Sequence, residues 1–116
     1  ADYFSQARKN REDARAQSLD LIKEMMNDVK ATDAIKKQAL EKTEAVAAAI
    51  EQESKIESLI KAKGFADCVV YIEGENCNVV VKADSLQPQQ TIQITEIVTA
   101  QSKIVAQNIK ISNVNS

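Results

Sequence analysis

The stretch that most narrows what this chain can fold into is Gly64–Lys82, GFADCVVYIEGENCNVVVK. It holds two β-rich runs, Cys68–Ile72 and Cys77–Val81, joined by Glu73-Gly74-Glu75-Asn76. Runs of β-branched residues on either side of a Gly-containing turn specify a hairpin. Pairing Ile72 with Cys77 puts Cys68 opposite Val81. Cys68, Val70 and Ile72 then share one face with Cys77, Val79 and Val81, and that face is the sheet's share of the core. The two sulfurs fall about four residues apart along the ladder, or ~13 Å, which is beyond disulfide reach. Both cysteines read as small core residues, without a metal or redox role. The opposite face is not wholly polar, because Val69, Tyr71 and Val80 gather on it. Either the first helix covers those three or they form a partner surface.

Nearly everything else has helical spacing. Within residues 2–28, Phe4, Ala7, Arg11, Ala14, Ser18, Leu21 and Met25 recur about every 3.5 residues. Leu19, Ile22, Met26 and Val29 widen that stripe towards its end, so the C-terminal half is expected to dock. The N-terminal half would project or meet another surface, its Arg8, Lys9, Arg11, Glu12, Asp13 and Arg15 forming local ion pairs. Thr32 or Asp33 caps a second helix reaching about Lys63, ~45 Å long. Its stripe is Ile35, Ala39, Val46, Ala49, Ile50, Ile56, Leu59 and Ile60, and Ala45–Ala49 make one side flat enough for close approach. Gly64 suits the left-handed position that ends the helix.

A third helix is expected from Pro88, capped by Ser85 or Gln87, to about Ala106. Its many β-branched residues disfavour helix, but Ile94, Ile97, Val98, Ile104 and Val105 keep the spacing too long for an ordinary strand. The chain closes on a strand, NIKISNV, with Ile109 and Ile111 inward and Lys110 and Ser112 outward. Alternation lapses there, since Asn113 takes the next inward position and Val114 an outward one. The fold class is therefore α+β. A two-layer αββαβ domain with a three-stranded sheet carries an additional long N-terminal helix. The expected organisation is an N-terminal helix over 1–31 and the α+β domain over 32–116, as one compact unit. With aromatics at 3%, its core must be built from Val, Ile, Leu and Ala.

The chemistry is as notable for what it lacks. No histidine is present, which excludes His-dependent acid–base catalysis, His metal ligation and Ser-His-Asp arrangements. Two glycines cannot build a phosphate-cradling loop. Lys55, Ser58 and Lys61 are helix neighbours, but such pairs on a charged face read as solvated scenery, and Glu41, Glu44, Glu51 and Glu53 as ordinary exposed charge. Fifteen basic and seventeen acidic residues, well mixed, leave no basic footprint for nucleic acid or an anionic membrane. The element order is shared with some RNA-binding folds, whose glycine clamp loop is missing here. No enzyme activity and no cofactor is expected. An interaction or assembly module remains.

Three segments carry a family resemblance: REDARAQSLDLIKEMMND, ESKIESLIKAKGFADCVVYIEGENCNVVVKAD and the closing NIKISNV. Together they resemble the stage III sporulation protein AH family of spore-forming Firmicutes, over essentially the whole chain. The most specific part is IESLIKAKGF with the hairpin that follows. The resemblance implies a ring-building domain similar to those of type III secretion and flagellar MS-ring proteins. It implies a mother-cell membrane anchor preceding the domain, which would lie in the intermembrane space between mother cell and forespore. The implied partner is the LytM-like ectodomain of stage II sporulation protein Q, in a channel complex needed for engulfment and late forespore gene expression. Aromatic and arginine anchors dominate such contacts, which points to Tyr3, Phe4, Arg8, Arg11, Arg15 and Tyr71 as partner-binding residues. A second, heterologous surface for a homo-oligomeric ring would fall on the flank of the second helix and the hairpin edge. The competing expectation is a small helical adaptor module that homo-oligomerises without a heteromeric partner.

Overall fold

The computed structural model describes residues 2–115; residues 1 and 116, the outer bounds of the two expected segments, lie outside the described residues. The elements run α1 (Tyr3–Asn27), α2 (Asp33–Ala62), β1 (Cys68–Glu73), β2 (Asn76–Lys82), α3 (Pro88–Gln101), a 3-10 turn at Ala106–Asn108, and β3 (Ile109–Val114). Asp2 caps α1 by accepting from Ser5 N–H at 2.8 Å. Thr32 caps α2 by accepting from Ile35 N–H. Lys63 closes α2 and Gly64 follows at φ 108°, a conformation in which a Cβ would be strained. Gly74 (φ 60°) is the only residue of the hairpin loop with positive φ, matching a two-residue turn with glycine in its first central position.

The sheet has the order β1-β2-β3, with β1 and β2 antiparallel and β2 and β3 parallel. Ile72 pairs with Cys77 and Cys68 with Val81, as the turn requires. The thiols are free and buried. Ile56 and Ile60 of α2 and Ile94 and Val98 of α3 pack on Cys68, Val70, Ile72, Cys77, Val79 and Val81, so both helices lie on one face of the sheet. Burying each large aliphatic side chain there contributes roughly 1.5–3 kcal/mol. On the other face, Phe4 and Ala7 of α1 cover Val69 and Val80, with Tyr71 and Val114 at the margin. The first helix covers this patch. Val114 belongs to it, which explains why alternation in β3 lapses: Asn113 instead anchors the loop, donating to Ala83 and Asp84 carbonyls.

Three expectations are corrected. First, α1 docks on the sheet by its N-terminal half. Phe4 is fully buried, whereas Leu21 is 62% exposed. Beyond Arg15 the helix runs along the first half of α2, burying little more than Ile22, and the pair forms an arm on a molecule 53 Å long. Apolar content did not decide docking, because the sheet ends where the richer half begins. Second, the buried side of α2 runs through Ala39, Glu53, Ile56 and Ile60, so Ile50 and Leu59 face outward. Third, α3 stops at Gln101. The Ser102 hydroxyl donates to Val98 C=O and accepts from Ile104 N–H, which turns the chain so that Ile104 reaches the core from outside the helix.

Candidate interaction surfaces

The arginines of α1 lie on the same side as Phe4 and Ala7, and they reach back into the fold. Arg8 forks onto Asp67, with Nη1 to Oδ1 at 2.9 Å and Nη2 to Oδ2 at 3.4 Å. Arg11 Nη1 donates to Glu57 Oε2 at 2.7 Å and to Val70 C=O at 2.6 Å. Arg15 donates to Glu53 Oε2. Glu53 is 1% exposed although it is charged. Its Oε2 also accepts from Ile72 N–H at 2.7 Å, and Glu57 Oε2 accepts from Val70 N–H at 2.9 Å. Two carboxylates four residues apart on α2 thus face one side of that helix, and each serves an arginine and a backbone amide of β1. Glu53 Oε1 and Arg11 Nε make no hydrogen bond; the former lies 3.4 Å from Arg11 Nη1.

Charges at this depth are tolerated only when paired, since desolvation costs several kcal/mol per ion. The series holds α1 against β1 and α2 at once. Burial works against ionisation of Asp67, but the Arg8 guanidinium and the Cys68 N–H outweigh it and hold the carboxyl below its ordinary value. The bond to Asp67 raises Arg8 in turn. Burial pushes the Cys68 thiol up to about 12 and the Cys77 thiol to about 11.

Of the six expected partner-binding residues, the structure gathers Phe4, Arg8, Arg11, Arg15 and Tyr71 onto the face between α1 and β1. Their contacts there are internal: Phe4 packs on the sheet, Tyr71 borders it, and each arginine meets a carboxylate. Tyr3 stays 41% exposed, its ring edge-on to Phe4 at 5.2 Å between centroids. Glu53, Glu57 and Asp67 were missed as members of this face. Glu53 corrects the expectation of ordinary exposed charge, and its signal was available, since positions 49, 53, 56 and 60 continue one helical stripe. Where α1 leaves the sheet, a groove of about 690 Å³ opens between α1, α2 and the hairpin turn. Ala14 and Ser18 line one side and Ala45, Ala48 and Ala49 the other, with Arg11, Arg15 and Tyr71 at the end nearest the sheet. Ser54, Lys55, Ser58 and Lys61 lie exposed along α2.

Comparison with known proteins places this architecture. Residues 1–111 match the family described as SpoIIIAH-like protein. The chain belongs to that family. It is 29% identical over 102 residues to stage III sporulation protein AH of Bacillus subtilis (strain 168), covering 88% of this chain and 47% of that protein. The chain therefore spans about half the length of that relative. A chain from the structure of the SpoIIQ–SpoIIIAH pore-forming complex superimposes with a TM-score of 0.88, at 26% identity and full coverage of both chains. The type III secretion system protein EscJ of enteropathogenic E. coli shares the fold alone, with a TM-score of 0.53 and 23% identity over 61% of this chain and 49% of its own. The α+β fold is thus shared with a secretion-system component. Among the described residues of this SpoIIIAH-like chain, no helix is long and apolar enough to cross a membrane, and no cluster of His, Cys, Asp and Glu could hold a metal ion.

Proposed function

We propose that this chain is a protein-binding assembly domain of a sporulation channel, working by recognition between rigid faces without turnover. Its partner is the LytM-like ectodomain of stage II sporulation protein Q. The observation that carries this reading is the likeness over the whole of both chains to a chain solved within the SpoIIQ–SpoIIIAH pore-forming complex. Membership of the SpoIIIAH-like family supports it independently. The domain sits in the intermembrane space between mother cell and forespore, carried by an anchor in the mother-cell membrane.

The physical arrangement suits that role. Ionic and apolar contacts hold α1 on the sheet, so the outer surface is presented by a body that needs little ordering on binding. Tyr3 and the rim of Arg8 are open to a partner at the start of α1, and Arg11, Arg15 and Tyr71 line the groove beside it, while Phe4 shapes that surface from beneath. The test is size-exclusion chromatography of this chain with the purified ectodomain. A 1:1 complex is expected. A stable homodimer of the chain that ignores the ectodomain would replace this reading with a self-assembling adaptor.

A further inference from the structure

The two long helices share one stripe. Phe4, Ile22, Ala39, Glu53 and Ile60, all buried, fall on a single alternation of four- and three-residue steps that starts at Phe4 and ends at Ile60. The alternation passes through the connector, residues 28–32, without a slip: Met25, Val29, Thr32, Lys36 and Ala39 are consecutive members. A loop that only reverses the chain has no reason to keep that spacing, whereas a continuous helix keeps it of necessity. The connector contains no glycine or proline and no residue with positive φ, so nothing in its backbone forbids helix. Val29, Thr32 and Lys36 are the stretch of the stripe left in solvent, and Val29 is 98% exposed.

The contacts of α1 are of a kind that a second copy can supply. Among the described residues, the larger core between α2, α3 and the sheet includes no residue of α1. The helix meets the sheet through Phe4 and Ala7 on Val69 and Val80, and its arginines meet Asp67, Glu57 and Glu53. All of these partners lie beyond the connector in the chain, and an identical copy presents the same set. The reversal itself is held locally. Lys30 N–H donates to Asp28 Oδ1 at 2.8 Å, Ala31 N–H to Asp28 C=O at 2.9 Å, and Ile35 N–H to the Thr32 hydroxyl at 3.2 Å.

We infer that two copies of this chain exchange α1, each laying it on the sheet and α2 of the other, while the span from Tyr3 to Ala62 becomes one helix ~90 Å long. Arg15 on Glu53 and Arg11 on Glu57 set an antiparallel register, and the same pairs form between copies. That register brings the two connectors side by side across the two-fold axis, where Val29 is covered. A parallel arrangement is disfavoured, because it would set Arg8, Arg11 and Arg15 against themselves and Glu53 and Glu57 likewise. Each half of the exchanged dimer keeps the sheet, α3 and the covered face of a single copy. The function proposed above therefore stands with or without the exchange.

The test is solution NMR on an equal mixture of isotope-labelled and unlabelled chain, warmed to near its unfolding midpoint at the highest soluble concentration and then cooled. The dimer is isolated by size exclusion, and contacts between copies are selected by isotope filtering. Contacts from the Phe4 ring of one copy to the Val80 methyls of the other are expected. A dimer without them, or a chain that yields no dimer, overturns the exchange. Asp33→Pro distinguishes exchange from other self-association. Asp33 opens α2, and Thr32 before it is already extended at ψ 167°, so the closed chain accommodates proline there. Inside a continuous helix the same proline loses a bond and clashes with the preceding turn, so dimerisation should fall at least ~100-fold. Undiminished dimerisation of this variant overturns the exchange. Thr32→Ala removes the cap that favours the reversal and should move the equilibrium ~10-fold toward dimer; no movement would count against it equally.

Discussion

The two faces of the sheet reach similar burial by different physics. The face under α2 and α3 is covered by Ile56, Ile60, Ile94 and Val98, and the residues they meet are aliphatic or thiol. The face under α1 has only Phe4 and Ala7 to offer, and beside them α1 is held by Arg8, Arg11 and Arg15 on Asp67, Glu57 and Glu53. Apolar contact is non-directional and tolerates small errors of register. A buried ion series does not, because each charge removed from water must find its opposite at hydrogen-bond distance. The difference indicates that the first face sustains the fold, while the second specifies where α1 lies.

Substitutions at four positions and one labelling experiment would break or sharpen this contrast. The largest effect is expected from Glu53→Ala, which leaves Arg15 without its partner and Ile72 N–H without an acceptor in a buried site; chemical denaturation should show a loss of about 3–5 kcal/mol. Glu53→Gln keeps an acceptor for that amide and should lose clearly less. Equal losses would mean that charge, and not the hydrogen bond to β1, is what matters there.

On the opposite face, Ile56→Ala should cost about 2–5 kcal/mol through lost burial and a cavity. The loss should appear in the global unfolding midpoint. Phe4→Ala, by contrast, should release the start of α1 and speed exchange near Val69 and Val80 while the α2–α3 face stays protected. Uniform loss of protection in both variants would erase the distinction between the faces.

Smaller again is the Arg8–Asp67 pair at the rim, where solvent weakens the interaction to ~1 kcal/mol or less. Its pH dependence has a definite sign. Asp67 is held below its ordinary value of 3.8, so its contribution is complete above that pH and is lost as pH falls through the lowered value. An acid titration of stability should therefore flatten below about pH 4 in Asp67→Asn. A wild-type acid limb in that variant would assign the acid sensitivity elsewhere. The smallest effect is a rate: at pH 8 the buried thiols, with values pushed up to about 12 and about 11, should resist alkylation until denaturant is added. Rapid native labelling of Cys77 would show that the hairpin opens at its turn end.

Much of this was legible residue by residue. The turn at Gly74 and the alternation on either side were enough to place Cys68 opposite Val81 and to separate the sheet's two faces. The caps at Thr32 and Gly64 and the proline at Pro88 bounded the helices within a few residues. The end of α3 was not legible, because Ser102 acts through a hydroxyl whose partners depend on the turn already existing. Nor was the docking half of α1. Counting apolar residues favoured Leu21, Met25 and Met26, but the available sheet surface lay at the other end. Arg11, Arg15 and Glu53 looked solvated because a charge read along one helix shows only neighbours in that helix.

The sequence by itself determined the elements, the hairpin register and the apolar face of each strand, since these follow from local backbone preference and a two- or 3.6-residue period. It also determined the absence of histidine chemistry. Only the tertiary structure decided that α1 covers one face of the sheet and is held there by carboxylates 38 to 59 residues away in the chain, two of which, on α2, also take the outward amides of β1. Those partners are brought together by packing, and no local periodicity encodes a distance across the fold.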